Sequence, residues 1–243
     1  MDDGFKLAVV FFSQICFVKM FTLFRNEVGI IQKIYYMEKF DKKKHWENIY
    51  RTKALNEVSW YQPIPETSLN FIENAHISKD SAIIDVGGGD SFLVDNLLKQ
   101  GYTNITVLDI SEAAIDRAKV RLGLDAFRVK WVVSDVLDFN QIKVFDLWHD
   151  RAAFHFLTNP KEIEKYSAIV SKAIKINGQL IVGTFSESGP KKCSGIEITQ
   201  YSIDKLNKCF EPQFSLLDSK TTNHATPFET LQDFVFGLYT NVI

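Results

Sequence analysis

The sequence predicts an α/β fold: a doubly wound, mostly parallel sheet of seven strands, with an antiparallel C-terminal edge strand and a helical N-terminal segment. Three observations carry this. Apolar strand-like runs alternate with amphipathic helical stretches through the middle of the chain. The first such strand ends in Asp85 and runs into three glycines at 87, 88 and 89, followed by the amphipathic stretch 92–98. After residue 212 two strand candidates follow without a helix between them, which implies an antiparallel hairpin at one sheet edge.

Taken in order, residues 41–53 read as a short amphipathic helix. A second covers 65–75, with Leu69, Phe71 and Ile72 facing inward. Strands are expected at 82–86, 105–109, 129–134, 144–149 and 178–184, and helices at 91–100, 111–122, 160–175 and 202–209. Asn177-Gly178 reads as the end of the helix at 160–175, since glycine favours the residue just past a helix. The last two strands are expected at 214–222 and 234–239. No internal repeat or low-complexity tract interrupts the pattern.

The length of 243 residues fits one α/β domain with extensions, and 46% hydrophobic with 24% charged residues is ordinary for a globular protein. A net charge of −2 gives no electrostatic case for nucleic acid or an anionic membrane. The 20 phenylalanines fall mostly at core positions. Cys16, Cys193 and Cys209 have no metal-ligand spacing, so no metal site is expected. The sparse, odd count suits a reducing cytoplasm, and Cys193 reads as an ordinary free thiol beside a loop. Residues 7–24 are strongly apolar but carry Gln14 and Lys19. They read as a signal or membrane anchor, or as sequence upstream of a natural start at Met37, the reading preferred here. Residues 1–36 are therefore an extension of open status, followed by a single domain over 37–243.

The glycine turn bears most directly on function. Glycine is needed where the backbone turns with positive φ or lies against a ligand, and a turn between a parallel strand and a helix is where nucleotide-type ligands bind. The second strand ends in Asp109, 24 residues after Asp85, where an acid can accept from both ribose hydroxyls of an adenosine. Dinucleotides and S-adenosylmethionine both use this arrangement. The dinucleotide fingerprint requires a third glycine where this chain has Phe92, and Asp85 would repel a pyrophosphate while pairing with a methionine amino group. S-adenosylmethionine is the preferred ligand.

Asp85-Val-Gly-Gly-Gly-Asp-Ser91, Val107-Leu-Asp-Ile-Ser111 and Val133-Ser-Asp-Val136 resemble the first three cofactor motifs of the class I, seven-strand S-adenosylmethionine-dependent methyltransferases. The resemblance covers roughly residues 45–240 and departs at Ser91, where the family's third glycine stands; serine is small and can cap the following helix. It implies a Rossmann-like methyltransferase fold, with residues 37–78 as a helical lid and 79–243 as the core. It further implies that Asp85, Gly87, Gly88 and Gly89 hold the methionine portion, Asp109 the ribose, and Ile110 one face of the adenine. Ser134, Asp135 and Val136 lie on the adenine side, Asp135 accepting from the amino group. The ordinary alternative for Asp135 is a turn cap.

In that fold the end of the fourth strand faces the transferred methyl. His149, Asp150 and Arg151 are three consecutive ionisable residues there. His149 or Asp150 is a candidate general base, and Arg151 a clamp for an anionic substrate. The alternative is a structural Asp150–Arg151 ion pair. Trp60, Tyr61 and His155 are candidates on the substrate side, with anchoring of the extension and a satisfied core histidine as their ordinary readings. The segments 45–50 and 57–63, rich in aromatic residues, resemble a lid found in small-molecule and protein-lysine methyltransferases, where aromatic faces favour a sulfonium cation. Loops 186–195 and 224–227 are candidate substrate loops, while Lys191 and Lys192 read as solvated surface.

The expected function is methyl transfer from S-adenosylmethionine to an unidentified small-molecule acceptor. Protein-lysine methylation is the rival within the class. An NAD-dependent oxidoreductase and a non-catalytic S-adenosylmethionine sensor are the rivals outside it. Mass spectrometry of the natively expressed N-terminus is expected to begin at Met37; a peptide spanning Phe24 to Lys33 would sink that reading of the start.

Overall fold

A computed structural model describes residues 40–243. The anchor and start-site readings of residues 1–36 lie outside the described residues. Helices α1 (Lys42–Thr52) and α2 (Glu66–Asn74) precede the sheet. The elements then alternate: β1 (Ile83–Val86), α3 (Leu93–Lys99), β2 (Ile105–Asp109), α4 (Glu112–Leu122), β3 (Val129–Val133), β4 (Phe145–Arg151), α5 (Pro160–Ala173) and β5 (Ile174–Phe185). A two-residue hairpin follows, β6 (Lys192–Cys193) with β7 (Ile196–Glu197), then α6 (Ile203–Phe210), β8 (Phe214–Ala225) and β9 (Leu231–Asn241).

The main sheet has the order β3-β2-β1-β4-β5-β9-β8. The first five strands are mutually parallel, and β9 pairs antiparallel with both β5 and β8. The expected seven-stranded, doubly wound sheet with its C-terminal hairpin is therefore the one that forms. Each central strand buries both faces, as parallel strands under helices must. Ile83, Ile105, Val107, Leu147 and Ile181 pack on the side of α2 and α3, while Ile84, Val86, Leu108, Trp148 and Leu180 pack on the side of α5 and α6. Side chains alternate along a strand, so on β4 His149 and Arg151 share a face with Leu147, and Asp150 lies on the opposite face with Trp148.

One local expectation is corrected. The helix before β5 ends at Ala173, and Asn177-Gly178 is not its terminus. The strand has already begun at Ile174, and pairing with β4 jumps from Phe145↔Ile174 to Leu147↔Gln179. The intervening residues bulge out, with Asn177 at φ +63°. The turn chemistry is present in the sequence, but sheet pairing on both sides places it inside a strand.

Ile84 is fully buried in the central strand. Ile84→Ala is expected to destabilise the fold by about 2–5 kcal/mol, through lost burial and the cavity left behind; urea unfolding followed by circular dichroism measures it.

Candidate active site

The site gathers at the carboxyl ends of β1, β2 and β4. Gly87 leaves β1 at φ +68°, and its N–H donates to the Leu108 carbonyl at 2.8 Å. A side chain at either of the next two glycines would be obstructed: an ideal Cβ on Gly88 lies 2.2 Å from Asp85 Oδ2, and one on Gly89 lies 2.6 Å from Asp109 Oδ2. Both carboxylates thus press against backbone that only glycine leaves bare. The Ser91 hydroxyl accepts from the Leu93 N–H at 3.1 Å, the helix-start role expected of it.

Asp85 is buried at 2% exposure. Parallel pairing sets it directly beside His149, and His149 Nδ1 donates to Asp85 Oδ1 at 2.7 Å. The other ring nitrogen, Nε2, bonds the Ser68 hydroxyl on α2 at 2.9 Å. Asp85 Oδ2 has no hydrogen-bond partner among the described residues. Asp109 accepts from the N–H groups of Gly89 at 3.0 Å and Ser111 at 2.8 Å. Burial pushes its pKa up to about 7, outweighing the lowering effect of the Ser111 and Gly89 N–H groups, and the Asp85 and Glu47 charges raise it by smaller amounts. An unpaired buried carboxylate oxygen and a second buried carboxylate, each over bare glycine, suit an ammonium group and a pair of hydroxyls.

The two residues expected as general bases lie on opposite faces of β4. Both nitrogens of His149 are hydrogen-bonded within the protein, Nδ1 to Asp85 and Nε2 to Ser68, so the ring braces the Asp85 carboxylate. Asp150 is fully buried on the opposite face. Its Oδ1 accepts from the Ala153 and Phe154 N–H groups at 2.9 and 3.0 Å, and its Oδ2 accepts from the Tyr166 hydroxyl at 2.6 Å. Asp150 therefore shapes the turn after β4, on the face of the sheet opposite Asp85 and His149. The Asp150–Arg151 ion pair is absent among the described residues, since the two side chains leave β4 in opposite directions. Arg151 stays with the site: its guanidinium lies 5.0 Å over the Phe234 ring and donates to the Trp60 carbonyl at 3.5 Å. Burial lowers its pKa to about 10, with Asp85 opposing.

Asp135 caps the short turn over 136–138, its Oδ1 accepting from the Leu137 N–H at 2.9 Å. Ser134 donates its hydroxyl to the Asp135 carbonyl, and its N–H bonds the Asp109 carbonyl at 2.9 Å. Ile110 and Val136 are half-buried on the same strand ends. Trp60 packs with Trp46 and Tyr50 at centroid distances of 5.7 and 6.0 Å, and Tyr61 meets Phe92 at 5.7 Å. His155 is fully buried, but its Nε2 is unpartnered, unlike the satisfied core histidine considered for it. Cys193 is a buried free thiol whose pKa burial raises to about 11, which leaves it unreactive at neutral pH.

Sequence reasoning missed the groups that dock α1. Glu47 Oε1 accepts from the Glu112 N–H at 2.6 Å and its Oε2 from Ala113 at 3.3 Å, which places a carboxylate on the N-terminus of α4. Arg117 of α4 returns hydrogen bonds to the Tyr50 and Lys53 carbonyls at 2.8 and 2.7 Å and ion-pairs with Asp90 at 3.0 Å. Arg121 joins Asp90 at 2.9 Å to Asp95 at 2.8 Å. The one available signal was Arg117 and Arg121 at i, i+4 on a helix facing the glycine turn. His224 was read only as part of a loop; it too lies beside Arg151 and Phe234.

Tyr166→Phe leaves Asp150 Oδ2 without its donor. The expected cost is about 1–3 kcal/mol of stability in urea unfolding, with no change in ligand binding on the Asp85 face.

Comparison with known proteins agrees with this geometry. Residues 77–227 match the family model described as a methyltransferase domain. EEF1A lysine methyltransferase 2 from Danio rerio is 24% identical over 196 residues, covering 74% of this chain and 77% of that protein. The malonyl-[acyl-carrier protein] O-methyltransferase of Anoxybacillus flavithermus is 33% identical over 107 residues, 43% of this chain and 39% of that protein. Among solved structures, the 1,6-didemethyltoxoflavin-N1-methyltransferase of Burkholderia thailandensis, with bound 1,6-didemethyltoxoflavin and S-adenosylhomocysteine, superposes with a TM-score of 0.61 at 16% identity over 90% of both chains. The family match spans more than half of the sequence: this chain belongs to the methyltransferase domain family, and its fold is that of the class I S-adenosylmethionine-dependent methyltransferases.

Proposed function

We propose that the protein transfers a methyl group from S-adenosylmethionine to a small-molecule acceptor. The observation that carries this reading is the pair of buried carboxylates, Asp85 and Asp109, each set against a glycine whose Cβ would collide with it. When bound, S-adenosylmethionine supplies a methyl group already activated on a sulfonium, so the protein's task is orientation and exclusion of water. Asp85 Oδ2 takes the methionine ammonium, and His149, braced by Ser68, fixes the carboxylate that does so. Asp109 takes the ribose hydroxyls. Ile110, Ser134, Asp135 and Val136 line the adenine side. Trp46, Tyr50 and Trp60 form an aromatic lid whose ring faces favour a cation, held down by Glu47 and Arg117. Arg151 and His155 face the acceptor, with Trp60 and Tyr61 above them.

Protein-lysine methylation is the second reading, favoured by the Danio rerio relative. Among the described residues no helix is long and apolar enough to cross a membrane. Free thiols at Cys193 and Cys209 fit the reducing cytoplasm proposed as the compartment. Incubating labelled cofactor with a cell lysate separates the two acceptor classes; label in the macromolecular fraction would count against the metabolite.

Calorimetric titration is expected to show saturable binding of S-adenosylmethionine and S-adenosylhomocysteine, lost in Asp109→Ala. Binding of NAD alone would overturn the reading.

The affinity is also expected to depend on pH. Free Asp109 titrates near 7, and accepting two ribose hydrogen bonds favours the ionised form. Binding below that value must expel a proton, so affinity falls as pH falls, by roughly tenfold per pH unit in the limit. It levels off above about 7, and Asp109→Asn should bind weakly and without this slope.

A further inference from the structure

Among the described residues two buried ring nitrogens within the electrostatic reach of Arg151 lack partners, and they are of opposite kinds. His155 Nδ1 accepts from the Phe185 N–H at 3.4 Å. In a neutral imidazole the hydrogen then sits on Nε2. Burial, with the Arg151 charge nearby, lowers the His155 pKa to about 3, so the ring is neutral at physiological pH. Its Nε2–H is a buried donor with no acceptor. His224, on β8, is the converse. Its Nε2 donates to the Ser59 carbonyl at 2.7 Å, which leaves Nδ1 a bare acceptor, buried and unpartnered. Burial and Arg151 lower its pKa too, against the opposing hydrogen bond to Ser59.

These groups belong to one constellation. Arg151 lies over the Phe234 ring, and the His224 ring meets the same phenylalanine edge-on at 6.2 Å. Phe234 packs on Phe185 at 4.8 Å, and Phe185 on His155 at 4.7 Å. Arg151 and His224 also hold the adjacent carbonyls of Trp60 and Ser59. Among the described residues no carboxylate ion-pairs with Arg151; the charge nearest to compensating it is Asp85, which His149 already holds. A half-buried cation with no carboxylate partner and a buried donor and acceptor with no partner among the described residues are each costly, and all three border the Phe185–Phe234 ring pair, where one ligand could satisfy them.

We propose that Arg151, His155 and His224 form the acceptor-binding subsite, and that the acceptor is a small carboxylate that also bears a hydroxyl or thiol. The carboxylate lies across the planar fork of Arg151 and accepts from His155 Nε2–H, while the hydroxyl or thiol donates to His224 Nδ1. A lysine ammonium would instead meet the uncompensated Arg151 charge. The proposal rests on the methyltransferase reading above and adds the chemistry of its acceptor.

The test uses the full 243-residue chain loaded with S-adenosylhomocysteine. It is titrated calorimetrically with lactate, mercaptoacetate, propionate and methyl lactate. Lactate or mercaptoacetate is expected to bind more tightly than propionate, and the uncharged ester least. The first two arms tell hydroxyl from thiol. R151Q is expected to weaken binding of every acid by roughly tenfold or more, with partial recovery in R151K. H224Q is expected to erase the advantage over propionate while leaving propionate binding unchanged. S-adenosylhomocysteine binding in each variant reports its fold. Ester binding as tight as the acids, acid binding unaffected in R151Q, or no acid binding to a loaded chain would each overturn the proposal. Failure to bind S-adenosylhomocysteine at all would instead overturn the cofactor reading beneath it.

Discussion

The hydrogen bond between Asp85 and His149 fixes the arrangement on which the rest of the site depends. The two residues are paired across parallel strands, so the sheet register alone brings a buried carboxylate beside a buried imidazole. Slipping either strand by one residue would turn one of them to the opposite face. Ser68 completes the chain and ties α2 to the same point. A buried carboxylate is tolerable only when hydrogen-bonded, and here one oxygen is satisfied while the other faces the bare backbone of Gly88. The strand ends thereby present a fixed negative group where the glycine turn allows close approach.

Around that point the alternation of β4 divides labour between the two sides of the sheet. Asp150 turns toward the α5 side, where Tyr166 and two backbone N–H groups consume its oxygens and define the turn that carries Ala153 against Gly87. Arg151 turns the other way and keeps its charge largely uncompensated. Three consecutive ionisable residues thus have three separate tasks: bracing, turn-shaping and, on the proposed reading, acceptor recognition.

The N-terminal segment is joined to this frame by polar rather than only apolar contacts. Glu47 caps α4 from outside, Arg117 returns bonds to the carbonyls of α1, and Asp90 in the glycine turn anchors the same arginine. The aromatic cluster of Trp46, Tyr50 and Trp60 is therefore held against the ends of β1 and β2 by a network shared with the turn itself. Arg117 thus ties α1 and the glycine turn to the same helix, α4.

Local chemistry in the sequence was enough to specify the sheet, the glycine turn and the acids at 85 and 109. Hydrophobic period, glycine and strand-ending carboxylates are short-range signals that tertiary packing here reinforces. Residue type at the end of β4 was legible, but role was not. Whether His149 is a base or a brace depends on the partner of each nitrogen, and those partners, Asp85 and Ser68, lie 64 and 81 residues away. The same limit hid Glu47 on α4 and the unpartnered ring nitrogens of His155 and His224 among the described residues. Asn177-Gly178 carried a turn signal that the flanking β4 pairing relocated into a strand. The sequence by itself determined which groups are available at the carboxyl edge of the sheet; only the tertiary structure decided which are already spent on the protein and which remain for a ligand, because hydrogen-bond satisfaction is a property of distant partners brought together.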